Sequence, residues 1–102
     1  MKIEEIQEAI RGRRVRVTEH AHEEAVADRL SVGEVVASVR HGEIIEDYPD
    51  REPYPRCLVL GFTRNGVPVH SVWESGDDLG WLALVTVYRP NPGEWIEWRQ
   101  RR

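Results

Sequence analysis

The sequence predicts an α+β domain in which N-terminal helices pack on one face of a four- to five-stranded antiparallel sheet. Three observations carry this. Apolar residues up to about position 41 recur at helical spacing, and beyond Gly42 the pattern changes to alternation. Asn65-Gly66 sits between two alternating runs and is the best hairpin signal in the chain. Helices followed by a run of strands is the order of an α+β layer, with the helices gathered on one side of the sheet.

Each element has its own signal. Ile3, Ile6 and Ile10 predict a helix over 2–11, and Gly12 stops it. Val15 and Val17 alternate with arginines as a short strand. Thr18 suits an N-cap for a helix over 19–29 with Ala21 and Ala25 on one face. Ser31-Val32-Gly33-Glu34 is a capping box opening a helix striped by Val32, Val35, Val36 and Val39, with Gly42 expected as its C′ residue. Strands follow at 43–48, 57–64, 67–73 and 81–89, with a proline-punctuated loop at 49–55 and a turn at 75–80. The short tail, 94–102, is predicted as a brief helix with a basic tip.

Composition sets the bounds. The chain has 102 residues, the size of one domain, with 40% hydrophobic and 31% charged residues. No apolar run reaches the roughly 18 residues of a membrane span. Acid at Glu4 and Glu5 stands where a secretory signal would be apolar, so no membrane association and a cytoplasmic location are expected. The single cysteine, Cys57, excludes an internal disulfide and a cysteine-rich zinc site. The net charge of −4 is uneven: residues 19–54 are strongly acidic, while both flanks are slightly basic. Thirteen of the 14 cations are arginine, the residue suited to bidentate phosphate or carboxylate contacts.

A two-residue turn at Asn65-Gly66 pairs Arg64 with Val67, Phe62 with Val69 and Leu60 with Ser71. Leu58, Leu60, Phe62, Val67, Val69 and Trp73 then face the helices. His70 falls on the other face, opposite Gly61, with open space beside the imidazole. A slip of one residue changes which side chains are buried.

Few other residues carry chemistry. His20 and His22 point apart on a helix, whereas His20 and Glu24 lie one turn apart and could share a ligand. A metal site built from His20, Glu24 and His70 ranks last, and no metal or other cofactor is expected. Cys57 reads as packing. The four tryptophans read as core or tail-docking anchors first and as base-stacking platforms second. Tyr88-Arg89 at the end of the last strand and Arg56 at the start of the first long one could place cations near a phosphate; edge charge is the ordinary alternative.

The ordered string Tyr48-Pro49, Pro53-Tyr54-Pro55, Leu60-Gly61, Gly66-Val67-Pro68-Val69-His70 and Thr86-Val87-Tyr88 resembles a small bacterial family, the domain of unknown function 4258, over about residues 15–95. That family resembles the RelE-like toxins, and its own members often look like partners of a small zinc-finger antitoxin. The resemblance implies a compact α+β fold and messenger-RNA cleavage. Many members carry Arg four and eight residues after the first His; here those positions hold Glu24 and Asp28.

Two functional expectations follow. One is the toxin of a type II toxin–antitoxin pair, a metal-independent endoribonuclease. His70 would be base or acid, His20 its partner, Tyr88 an orienting or proton-donating group, and Arg56 and Arg89 the stabilisers of charge on RNA phosphate. The other is a non-catalytic interaction module whose acidic helices bind an antitoxin-like basic partner or a second copy as a homodimer.

Overall fold

The computed structural model describes residues 1–76 and 79–102. Helices α1 (Ile3–Arg11), α2 (Glu19–Ala27) and α3 (Val32–Ser38), the last followed by a 3-10 turn at Val39–His41, pack on one face of a five-stranded sheet. The strands are β1 (Val15–Val17), β2 (Glu43–Tyr48), β3 (Arg56–Phe62), β4 (Pro68–Ser75) and β5 (Leu82–Tyr88), in the order β1-β5-β4-β3-β2. Among the described residues no helix is long and apolar enough to cross a membrane.

The α+β layer is as expected, but the sheet is mixed rather than antiparallel. Strand β1 runs parallel to β5, with Val15 opposite Leu82 and Val17 opposite Leu84. No hairpin joins them. The chain leaves β1 for two helices and three strands before reaching β5, so connection length imposes no direction, and a Val-Arg-Val alternation carries none.

Local chemistry places the helices. Thr18 Oγ1 accepts from the Ala21 amide at 3.1 Å, and Ser31 and Glu34 form the expected capping box with two 3.0 Å bonds. Gly42 is not a left-handed C′ residue; its φ is −78°. A side chain is excluded there because a Cβ would sit 2.9 Å from Val59 Cγ1 and 3.0 Å from the Leu60 carbonyl oxygen. Helix α2 also finishes the sheet edge. Where β1 ends, the Val87 amide donates to Glu24 Oε1 at 3.1 Å and the Arg89 amide to Asp28 Oδ2 at 2.7 Å. These two carboxylates cover donors that an edge strand would otherwise leave open.

The β3–β4 hairpin is slipped by one residue from the expected register. Leu60 pairs with His70 and Phe62 with Pro68. The loop is longer than two residues: Thr63 N donates to the Val67 carbonyl at 2.8 Å, Gly66 N to the Thr63 carbonyl at 2.9 Å, and Gly66 has φ +80°. This is a type I turn closed by a left-handed glycine, in which Asn65-Gly66 occupies the last two positions. The slip inverts β3. Cys57, Val59 and Gly61 lie under the helices, Leu58 and Leu60 face away, and Phe62 is exposed. Strand β4 keeps its expected faces, with Val69 and Trp73 in the core beside Ile6, Ala25 and Val39.

The tail is a ribbon rather than a helix. Strands β6 (Trp95–Ile96) and β7 (Gln100–Arg101) pair antiparallel around a turn in which Glu97 and Trp98 have φ of 50° and 65°. The Arg99 amide closes the turn on the Ile96 carbonyl at 3.0 Å. Part of the expected turn at 75–80, Asp77 and Asp78, lies outside the described residues.

Candidate functional site

His70 stands on the sheet face turned away from the helices, between Leu60 on β3 and Tyr88 on β5. The ribbon lies over it. The imidazole has 0% exposure, which corrects the expectation of an open surface beside it. Trp95, itself buried, meets the ring edge-on with centroids 4.5 Å apart. Nε2 lies 2.7 Å from the Trp98 carbonyl oxygen and Nδ1 lies 3.1 Å from the Tyr88 hydroxyl. A carbonyl can only accept, so Nε2 carries the proton, and Nδ1 of the neutral ring accepts from Tyr88.

The electrostatics agree with a neutral ring. Burial pulls the His70 pKa below its usual value, against the opposing pull of the Trp98 carbonyl and Glu46. Burial pushes the Tyr88 phenol up to about 12. Above this pair the ribbon is clamped to β2. Arg101 binds Glu46 through Nε at 2.8 Å and Nη2 at 3.1 Å, while Arg99 Nε meets Glu43 at 2.6 Å. Arg101 also lies over the Trp95 ring, 4.7 Å from its centroid. Tyr48 bonds the same Glu46. The Arg101 bond holds the Glu46 carboxyl below the usual carboxylate range.

Of the residues expected at the site, the structure brings together His70 and Tyr88. His20 is elsewhere: its side chain is 67% exposed on α2, and Nε2 sits 3.2 Å from Glu24 Oε1. Arg56 shares the face of His70 but stands opposite Glu74, four residues along β4 and so about 13 Å away. Its Nε lies 3.4 Å from the Glu74 carboxylate. Arg89 is exposed just beyond β5, and its backbone, rather than its guanidinium, is engaged by Asp28. Among the described residues no three His, Cys, Asp or Glu side chains gather as a metal site, and His70 and Glu24 contribute to different parts of the molecule.

Sequence reasoning missed Glu46, Trp95 and Arg101. The signal was there in outline: Arg99 and Arg101 alternate, and face Glu43 and Glu46. The acidic pair is spaced by three because β2 has an irregularity between Ile44 and Glu46, which restores both carboxylates to one face.

Neither a curated protein nor a solved structure matches the chain. Residues 17–89 match the family described as Domain of unknown function (DUF4258), a span that holds β1's last residue through Tyr88 and excludes the ribbon. With most of its length matched, and His70 and Tyr88 within the matched span, the chain belongs to the DUF4258 family.

Proposed function

We propose that the chain is an RNA-cleaving domain of toxin type, partnered by a small antitoxin, whose C-terminal ribbon holds it closed. One observation carries the reading. An imidazole and a phenol lie 3.1 Å apart on the helix-free face, both inside the family segment, and their cover comes from residues beyond that segment. With the ribbon lifted, His70 would regain solvent and a pKa near neutrality, suited to taking a proton from a ribose 2′-hydroxyl. Tyr88, protonated at neutral pH, would donate to the leaving oxygen or hold the phosphate. Each proton transfer is typically worth about 10² to 10⁴ in rate.

The test is an Arg99→Ala/Arg101→Ala chain, which loosens both clamps, expressed with and without His70→Ala. Growth arrest and messenger-RNA cleavage should rise in the double variant and vanish when His70 is also replaced. A loosened chain that leaves RNA intact, or one that cleaves equally without His70, defeats the proposal.

A second reading, a non-catalytic interaction module, is favoured by the same ring: both nitrogens are engaged within the chain. Glu24 and Asp28 serve backbone amides instead of a ligand. Exposed Glu19 and Glu23 beside exposed Val26 on α2 would then meet a basic protein. Stoichiometric co-purification with such a protein, together with an inert loosened variant, would select it.

A further inference from the structure

The ribbon covers only one end of the helix-free face. At the other end a cleft of about 370 Å³ opens between β1, β4 and β5, lined by Arg16, Tyr54, Glu74, Trp81 and Ala83 among others. That is the size of a small-ligand site. Two aromatic side chains border it, Tyr54 at 47% and Trp81 at 43% exposure, an unusual investment of apolar ring surface in solvent. The Trp81 backbone packs closely on Gly76, where a Cβ would overlap the Trp81 carbonyl. The floor is flat because Ala83 stands between Arg16 and Glu74 in the strand register.

Charge narrows the ligand. Glu74 Oε1 is held at 3.4 Å by both Arg51 and Arg56, and Arg16 has no ion-pair partner among the described residues. Among the described lining residues, one guanidinium without an ion pair, Arg16, and one carboxylate, Glu74, face the cleft. A cation held between the rings would meet the Arg16 guanidinium. A planar, anionic ligand fits: a base against the rings and a phosphate on Arg16. Glu74 then discriminates between bases. Guanine offers two adjacent donors, N1–H and the N2 amino group, on the part of its edge away from O6. Adenine and cytosine would set a ring acceptor against the carboxylate there.

We propose that this cleft binds a guanine nucleotide, its base against Tyr54 and Trp81, its donor edge on Glu74 and its phosphate on Arg16. The source of that chemistry is either a free nucleotide or a guanosine within single-stranded RNA. The site uses neither His70 nor Tyr88, so it stands or falls apart from the cleavage proposed above.

The test is quenching of tryptophan emission by GMP, by AMP, and by short single-stranded oligoribonucleotides with and without one guanosine. Guanine-dependent quenching is expected, about ten-fold weaker or more in half-saturation for Arg16→Ala and for Tyr54→Ala. Glu74→Gln should erase the preference over adenine. Trp81→Phe should remove the signal, since Trp73 and Trp95 are buried and the half-buried Trp98 lies in the ribbon turn at the other end of the face. Quenching by GMP alone assigns a free nucleotide, and quenching by the guanosine-containing strand alone assigns RNA; either supports the site. Equal response to AMP, no response to any probe, or an undiminished response in Trp81→Phe overturns it.

Discussion

Lowering the pH from 7.5 to 5.5 should destabilise the native chain through His70. The ring is neutral in the fold because burial opposes the imidazolium, whereas the unfolded chain titrates at about 6.5. Below that value the unfolded state binds a proton that the native state refuses, so stability is complete above about pH 6.5 and falls as the pH drops towards the native pKa. The limiting slope is about 1.4 kcal/mol per pH unit, so one unit below 6.5 the accumulated loss is at most about 1.4 kcal/mol. That ceiling corresponds to roughly 5–10 °C in Tm for a domain of this size.

The groups around the ring do not reverse the sign. From β5 there is the Tyr88 phenol, which stays protonated. From β2 there are Glu46, anionic and held so by Arg101, and Tyr48. The ribbon brings Trp95 and the Arg101 cation, and the Glu46 and Arg101 charges pull His70 in opposite directions. Urea unfolding at pH 7.5, 6.5 and 5.5, followed by tryptophan emission and circular dichroism, measures the effect. His70→Gln is the control, since an amide can donate to the Trp98 carbonyl but takes no proton. Wild type should lose more than the variant between the two ends, by up to about 1.4 kcal/mol. Parallel profiles would refute the reasoning, because the exposed histidines are common to both proteins.

Other expectations follow from single contacts. Gly61→Ala should cost about 1–3 kcal/mol in urea unfolding, because the new methyl overlaps the Ser38 carbonyl under the core. Cys57, fully buried with its thiol pushed up to about 12, should resist a thiol reagent at pH 8 in the native chain and react on unfolding. Glu24→Ala leaves the Val87 amide without its partner and should cost about 1–3 kcal/mol. Arg101→Ala, whose guanidinium is largely exposed, should cost less than about 1 kcal/mol globally while speeding hydrogen exchange at the ribbon amides.

The legible parts of this fold are those whose signals are local. Thr18, Ser31 and Glu34 announce two helix starts because capping is a matter of three or four neighbouring residues. Strands β3 to β5 announce themselves by composition. What escaped was decided between distant segments. A turn dipeptide fixes that a hairpin exists; whether Asn65-Gly66 fills its centre or its end depends on which face of β3 the helices accept, and Ser38 accepts only the glycine at position 61. The parallel pairing of β1 is likewise a tertiary outcome. The tail escaped for another reason: its turn sets a glutamate and a tryptophan at positive φ, conformations that no residue preference would suggest. His70 and Tyr88 were placed on the right strands, and the register that joins them also put them where the ribbon could close over them.

That ribbon is held from outside itself. Two strands of two residues cannot persist alone in water, and each non-glycine residue at positive φ adds about 1–3 kcal/mol of strain. Docking must supply the difference: burial of Trp95, the bond from His70 to the strained turn's own carbonyl at Trp98, and the clamps to Glu43 and Glu46. Strain and docking oppose one another, so changes at the clasp should shift the ribbon's population before the domain unfolds. His70 is thus both the group the ribbon hides and one of the groups that keeps it hidden. A substitution there must be read on two scales, RNA cleavage and ribbon exchange. A His70→Gln chain that keeps the ribbon protected yet loses all cleavage in the Arg99→Ala/Arg101→Ala background would separate a chemical role from a structural one.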